Sequence, residues 1–145
     1  MYTYKVNRRM RFIYLSIAIL GCCLFSTAAL QAQSGRPISM MTFEEAYLDL
    51  GKVKKGEKRH FEYTFTNIGK EDIEIDLISA CECTETDYPA KSFAPGEKGK
   101  IKVTFDSSKK DAEETIDIDI FLKNTDPNTG GPVVERIQYH FDIEK

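Results

Sequence analysis

Two thiols separated by one residue, Cys81-Glu82-Cys83 followed by Thr84, are the groups in this chain with the most chemical reach. The chain has four cysteines, and the other two, Cys22 and Cys23, lie inside an apolar N-terminal run. In an extended strand, residues i and i+2 point the same way with Cα atoms ~6.6 Å apart. That is near the upper limit for a disulfide, so a bridge here requires a bend and closes a very small ring. A ring of that kind is more labile than a structural staple. Three readings of the pair stand side by side. The cysteines are structural, reduced or bridged, at the end of a strand. They are a redox-active dithiol, although the helix N-terminus that lowers a thiolate pKa in Cys-X-X-Cys enzymes is missing from the pattern. They are a soft-metal site for Cu(I) or Zn, although two thiolates are too few for a closed zinc site. The only imidazoles, His60 and His140, fall on the polar parity of their strands.

Other chemistry has little to build on. Two histidines and no Gly-rich phosphate loop leave no catalytic constellation. Glu71, Asp72, Glu74, Asp76, Asp117 and Asp119 sit in alternation, the pattern of a solvated face. Asp126 to Gly131 resembles a calcium loop in oxygen content alone and reads as a flexible hairpin loop. The expectation is therefore a chain with no catalytic residues, no metal and no cofactor.

The elements that hold the thiols announce themselves by period two. Phe61, Tyr63 and Phe65 alternate with polar neighbours, as do Ile73, Ile75 and Leu77. So do Ile101, Val103 and Phe105, then Ile116, Ile118, Ile120 and Leu122, then Ile137, Tyr139, Phe141 and Ile143. Each run predicts a strand with one buried and one wet face. A weaker strand over 42–50 is anchored by Phe43 and Tyr47. Turns are marked by Lys55-Gly56, by Asn67 and Gly69, by Pro95-Gly96 and by residues 124–132. Six or seven short antiparallel strands, each with one apolar face, must lay those faces together. The result is a two-sheet sandwich over 41–145, with each buried core side chain contributing about 1.5–3 kcal/mol. The exposed faces are acidic on the runs 73–77 and 116–122 and basic on residues 99–105. Opposed across strands, such charges would support register.

The N-terminus speaks about address. Lys5, Arg8, Arg9 and Arg11 precede an uncharged stretch from Phe12 to Leu30, and small residues lead to Ala32. These are the parts of a signal peptide over 1–32, followed by a linker over 33–40. An uncleaved anchor and a lipoprotein cut before Cys22 are the competing readings. All three place the rest outside the cytoplasm, periplasmic or secreted. Removing residues 1–32, with four cations and no acid, takes the formal charge from −3 to −7. That excludes nucleic acid and anionic membrane surfaces as natural partners.

Several motifs also resemble a known family. They are Gly51-x-Val53-x-x-Gly56-Glu57, Phe65-x-Asn67-x-Gly69, Ile78-Ser79-Ala80-Cys81-Glu82-Cys83-Thr84, and Pro95-Gly96-Glu97-x-Gly99-x-Ile101-x-Val103-x-Phe105-Asp106. In order and spacing they are similar to the secreted bacterial family catalogued as domain of unknown function 1573. The family typically shows Cys-Gly-Cys-Thr, and Glu82 stands where that Gly sits. The resemblance implies an immunoglobulin-like fold, similar to Hydin-type modules and the major sperm protein group, and implies no activity. Asn67 and Gly69 are then turn residues that tolerate left-handed backbone, and the Pro95-Gly96 turn launches the next strand. The expectation is a non-catalytic structural or binding module of the cell envelope, meeting a protein or a glycan and no small-molecule substrate. The binding surface is an edge strand or the segment 81–98, which holds Cys81, Glu82, Cys83, Thr84, Tyr88 and Phe93. A thiol-dependent redox or copper-handling factor working through Cys81 and Cys83 is the alternative.

Overall fold

Alternation at every long strand forces two apolar faces together, and the chain meets that demand with two sheets. A computed structural model describes residues 36–144. The segment 1–32, where an export signal is expected, lies outside the described residues. Nine strands follow in order: β1 Met41–Phe43, β2 Tyr47–Lys54, β3 Lys58–Asn67, β4 Ile73–Ser79, β5 Thr84–Asp87, β6 Ser92–Phe93, β7 Lys98–Asp106, β8 Glu114–Thr125 and β9 Pro132–Glu144. One sheet has four strands in the order β1-β3-β7-β5, and the other has five in the order β2-β9-β8-β4-β6.

The alternating residues meet between the sheets. Tyr63, Phe65, Ile101, Val103 and Phe105 come from the first sheet, and Ile73, Ile118, Ile120, Ile137, Tyr139 and Phe141 from the second. Rings knit the two layers: Phe105 stacks on Phe141 with centroids 4.3 Å apart, and Phe61 meets Tyr139 at 5.2 Å. Gly99 lies in β7 where a Cβ would sit 2.6 Å from Phe93 Cε1 and still closer to Phe65. A side chain there collides with the core.

Four expectations need correction. The predicted strand over 42–50 is two strands in different sheets, because Glu44, Glu45 and Ala46 are exposed and let the chain cross. Phe43 packs toward Phe65 at 6.4 Å, whereas Tyr47 is 47% exposed and anchors nothing. The sandwich is also not wholly antiparallel, since β2 runs parallel to β9. A bulge between Asp49 and Lys52 bends β2, with Gly51 at φ 62° donating its N–H to Asp49 Oδ1. Leu77, on the apolar parity of its run, is 46% exposed. An irregularity between Ile75 and Leu77 shifts the register, so Ile78 turns inward in its place. Finally, the domain starts before residue 41: Ile38 packs against the core, and Met40 belongs to it.

The charges are complementary within each sheet, and the acidic and basic runs do not face each other. Lysines of β7 meet Glu62 at 2.5 Å on β3 and Asp87 at 3.8 Å on β5. The acids of β8 meet Arg136 of β9, with Asp119 at 2.7 Å and Asp117 at 3.3 Å.

Candidate functional site

The thiols occupy the corner where the chain leaves one sheet for the other. After β4 the chain turns through residues 80–83 and enters β5 on the opposite layer. The bend is closed by Thr84 N–H donating to the Cys81 carbonyl at 3.0 Å. It brings the Cys81 and Cys83 Cα atoms to 5.2 Å, and the two sulfurs form a disulfide. Glu82 makes this turn without left-handed backbone. Its carbonyl accepts from Lys109 Nζ at 2.7 Å, which sets an ammonium beside the turn. Bridged in this way, the pair offers no free thiolate.

The two sulfurs see different surroundings. Cys83 is 1% exposed and belongs to the core, whereas Cys81 is half-buried at its rim. Thr84 Oγ1 lies 3.3 Å from Cys81 Sγ and 3.7 Å from Cys83 Sγ. The same hydroxyl is 2.6 Å from the Tyr139 hydroxyl, which lies 3.8 Å from Cys83 Sγ. Burial pushes the Tyr139 phenol up to about 12, with the Thr84 hydrogen bond acting in the opposite direction. Burial likewise raises Tyr63, whose hydroxyl donates to the Gln138 carbonyl at 2.7 Å.

Beyond the disulfide, β5 forms an edge. It pairs antiparallel with β7, Glu85 opposite Thr104 and Asp87 opposite Lys102. The bond from Asp106 N–H to the Cys83 carbonyl, 2.9 Å, sets the phase of this ladder. Antiparallel pairs alternate, so Glu85 and Asp87 turn their main-chain groups toward β7, and Thr86 turns its own outward. A shallow concavity of about 530 Å³ lies over the face of this sheet across β3, β7 and β5, lined by His60, Glu62, Glu85, Asp87, Lys102 and Thr104 among others.

The segment 81–98 is thus less irregular than its sequence suggests, because it contains β5 and β6. Phe93 is 1% exposed and sits edge-on to Phe65 at 4.9 Å. It is a core residue and not a contact residue. Tyr88 is half-buried, its hydroxyl donating to the Asp76 carbonyl at 3.4 Å. Glu82 is exposed and Thr84 half-buried, so these two stay with the disulfide.

The turn residues form a separate cluster. Asn67 is buried: its Nδ2 donates to the Glu71 and Phe93 carbonyls at 2.9 and 2.8 Å, and its Oδ1 accepts from Gly69 N–H at 2.8 Å. Neither Asn67 nor Gly69 has left-handed backbone. A Cβ at 69 would lie 2.7 Å from Met40 Cε, the movable end of a flexible side chain, and 3.1 Å from Asn67 Oδ1. Gly96 does adopt φ 82°, and with Pro95 before it forms the turn closed by Glu97 N–H on the Ala94 carbonyl at 2.9 Å.

Two buried acids escaped the sequence reading. Glu135 of β9 is 8% exposed. One of its oxygens accepts from Met40 N–H at 2.6 Å and Met41 N–H at 3.0 Å, and Ser39 Oγ lies 3.0 Å from both oxygens. Asp126 is 2% exposed and accepts from Ile38 N–H at 3.2 Å and Asn128 N–H at 2.8 Å. Its loop is tied to the segment that precedes β1, at Ile38 and Arg36. The available signal was parity: Glu135 falls in step with the apolar Val133, Ile137 and Tyr139.

Comparison with known proteins bears on this architecture. The model of the family described as Protein of unknown function (DUF1573) matches residues 41–130. No curated protein matches the chain. A protein of unknown function from Porphyromonas gingivalis W83 superposes with TM-score 0.57 at 18% identity, over 81% of this chain and 51% of its own. The VesB protease of Vibrio cholerae matches at TM-score 0.56 and 14% identity, over 72% of this chain and 32% of its own. The chain therefore spans about half of the first and a third of the second. The ASH/PapD-like domain 7 of human CEP192 matches at TM-score 0.55 and 10% identity, over 83% of this chain and 96% of its own. At such identities the likeness is one of fold, an immunoglobulin-like, PapD-like β-sandwich.

Proposed function

The chain belongs to the DUF1573 family, and we propose that it is a non-catalytic module of the cell envelope that binds an extended protein segment by strand addition at β5. The observation that carries this reading is the outward-facing main-chain groups of Thr86 at the sheet edge, next to a fixed corner. An edge of this kind is a ready template for another strand. Main-chain donors and acceptors at strand spacing suit a polypeptide better than a glycan. Self-pairing is disfavoured by charge, because an antiparallel copy centred on Thr86 would set Glu85 against Asp87.

The address rests on different support. The basic and apolar stretches before residue 32 have the order of an export signal, and a disulfide suits an oxidising compartment. Glu62 and Asp119 are engaged with lysine and arginine across strands, which supports a scaffold role for these carboxylates over acid–base work.

Site-specific photocrosslinking in the source cells tests the binding reading. A crosslinker at Glu85 is expected to yield discrete protein adducts that disappear with Thr86→Pro, whereas one at Thr42 on β1 yields none. Equal adducts from both edges, no adducts, or adducts removed by glycosidases count against it. Fractionation that recovers the chain in the cytosol would sink the envelope assignment.

A further inference from the structure

We propose that the Cys81–Cys83 disulfide is an exchange site for a dithiol of a partner protein, with Cys81 as the sulfur attacked and Cys83 as the thiolate that leaves. The inference does not depend on strand addition at β5.

A structural role explains the bond poorly. A bridge stabilises chiefly by closing a loop of the unfolded chain, and the effect grows with loop length. Here the separation is two residues, so little chain freedom is removed. The core is already continuous across both sheets without it. What the site does have is asymmetry. Attack on a disulfide needs one accessible sulfur and a stabilised leaving sulfur. Cys81 is half-buried at the rim, and Cys83 is 1% exposed. The Tyr139 hydroxyl lies 3.8 Å from Cys83 Sγ, and Thr84 Oγ1, 2.6 Å from that hydroxyl, sits between the sulfurs at 3.3 Å from Cys81 Sγ and 3.7 Å from Cys83 Sγ. Because burial raises the Tyr139 pKa to about 12, the phenol keeps its proton and remains a donor. Lys109, its Nζ on the Glu82 carbonyl, places positive charge at the mouth where an anionic thiolate approaches.

The steps balance as follows. The partner's first thiolate forms a bond to Cys81 Sγ, the Cys81–Cys83 bond breaks, and its electron pair goes to Cys83 Sγ. The Thr84 and Tyr139 hydroxyls stabilise that charge until a proton arrives from solvent. The partner's second thiolate then attacks its own first sulfur and expels Cys81. Two electrons and two protons pass from the partner dithiol to the chain, which ends as Cys81 and Cys83 thiols while the partner ends as a disulfide. Run backward, the reduced chain reduces a partner disulfide.

The test uses the full exported chain and dithiothreitol as the dithiol. The native protein is incubated with graded reductant, quenched, alkylated and read by mass spectrometry. Reduction is expected without unfolding, and brief alkylation marks Cys81 about tenfold faster than Cys83, following access. Thr84→Val and Tyr139→Phe should each slow reduction about tenfold, and Thr84→Ser should restore the rate. Cys83→Ser should accumulate a mixed disulfide on Cys81 when offered glutathione disulfide, one glutathione leaving as its thiol. Thr84→Ser and Cys83→Ser keep near-native volume, so they remain informative if Tyr139→Phe fails to fold. Reduction only after denaturation, equal labelling of both thiols, or unchanged rates in a folded Thr84→Val overturn the proposal.

Discussion

The four-stranded sheet has two edges, and they are finished in opposite ways. At β1 the outward N–H of Met41, together with that of Met40, is received by one oxygen of the buried Glu135 carboxylate from the opposite sheet. Ser39 reaches the same carboxylate, and Asp126 holds Ile38 just upstream. At β5 the outward main-chain groups begin directly after a disulfide, and among the described residues no further strand of the sheet pairs with them. One edge is consumed by the chain's own acids, and the other is left for a partner. The contrast teaches that a buried carboxylate can act as the missing strand: it supplies acceptors where a neighbour's carbonyls would be.

Breaking the closed edge should have the largest effect. Glu135→Ala orphans two buried donors, each worth about 1–3 kcal/mol, so a loss of about 3 kcal/mol or more is expected in urea unfolding. Glu135→Gln keeps an acceptor and should recover part of that loss. If Glu135→Ala leaves the midpoint unchanged, β1 is not closed by this carboxylate. Gly99→Ala comes next. It pushes on Phe65, which packs against Phe43 of β1, and overpacking of this kind costs about 1–3 kcal/mol. Hydrogen exchange should then rise at residues 41–43 before it rises at 84–87.

Proline sharpens the comparison at β5. Glu85→Pro deletes a donor that faces β7, whereas Thr86→Pro deletes one that faces outward. Edge strands accept proline where the N–H points away from the sheet. Glu85→Pro should therefore lower stability by about 1 kcal/mol, and Thr86→Pro should leave it near wild type. A larger loss for Thr86→Pro than for Glu85→Pro would show that the ladder phase is the reverse of that set by Asp106 and Cys83.

How much of this was legible in the sequence follows from what each signal encodes. Period two at 61–65, 101–105, 116–122 and 137–143 marks the strands and their buried faces directly, because the pleat itself has period two. It does not encode which sheet a strand joins. The acidic and basic runs therefore suggested cross-strand partners that lie in different layers. Leu77 was misplaced because a register irregularity flips parity without changing composition. Phe93 gave no alternation to follow, since its strand is two residues long. The parallel pairing of β2 with β9 joins the first part of the domain to its last strand, and no local turn announces it. At the site, the spacing of Cys81 and Cys83 was visible. Tyr139 and Thr84 were not visible as a pair, because a bond across 55 positions is set by the sandwich alone. Glu135 was legible in principle, as a charge on an apolar parity, and its partner edge was not.

The mildest probe is acid. Near the closed edge, the Lys98 ammonium bonded to Glu44 at 2.7 Å holds that carboxyl below its ordinary value of 4.5. On the β5 side, the hydroxyl and N–H of Ser108 hold Asp106 below its ordinary 3.8. A carboxyl whose folded pKa is depressed adds stability that is present above the unfolded value and lost as pH falls through the folded one. The unfolding midpoint should therefore hold steady down to about pH 5 and slip below about pH 4. Both groups are solvent-exposed, so the drop should be small beside that of Glu135→Ala, and 1 M salt should shrink the Lys98–Glu44 share. Lys98→Ala should flatten the acid limb without touching β5. If it instead raised exchange at residues 84–87, the two edges would be coupled through β3 and β7, and the division between a sealed side and a receptive side would have to be redrawn.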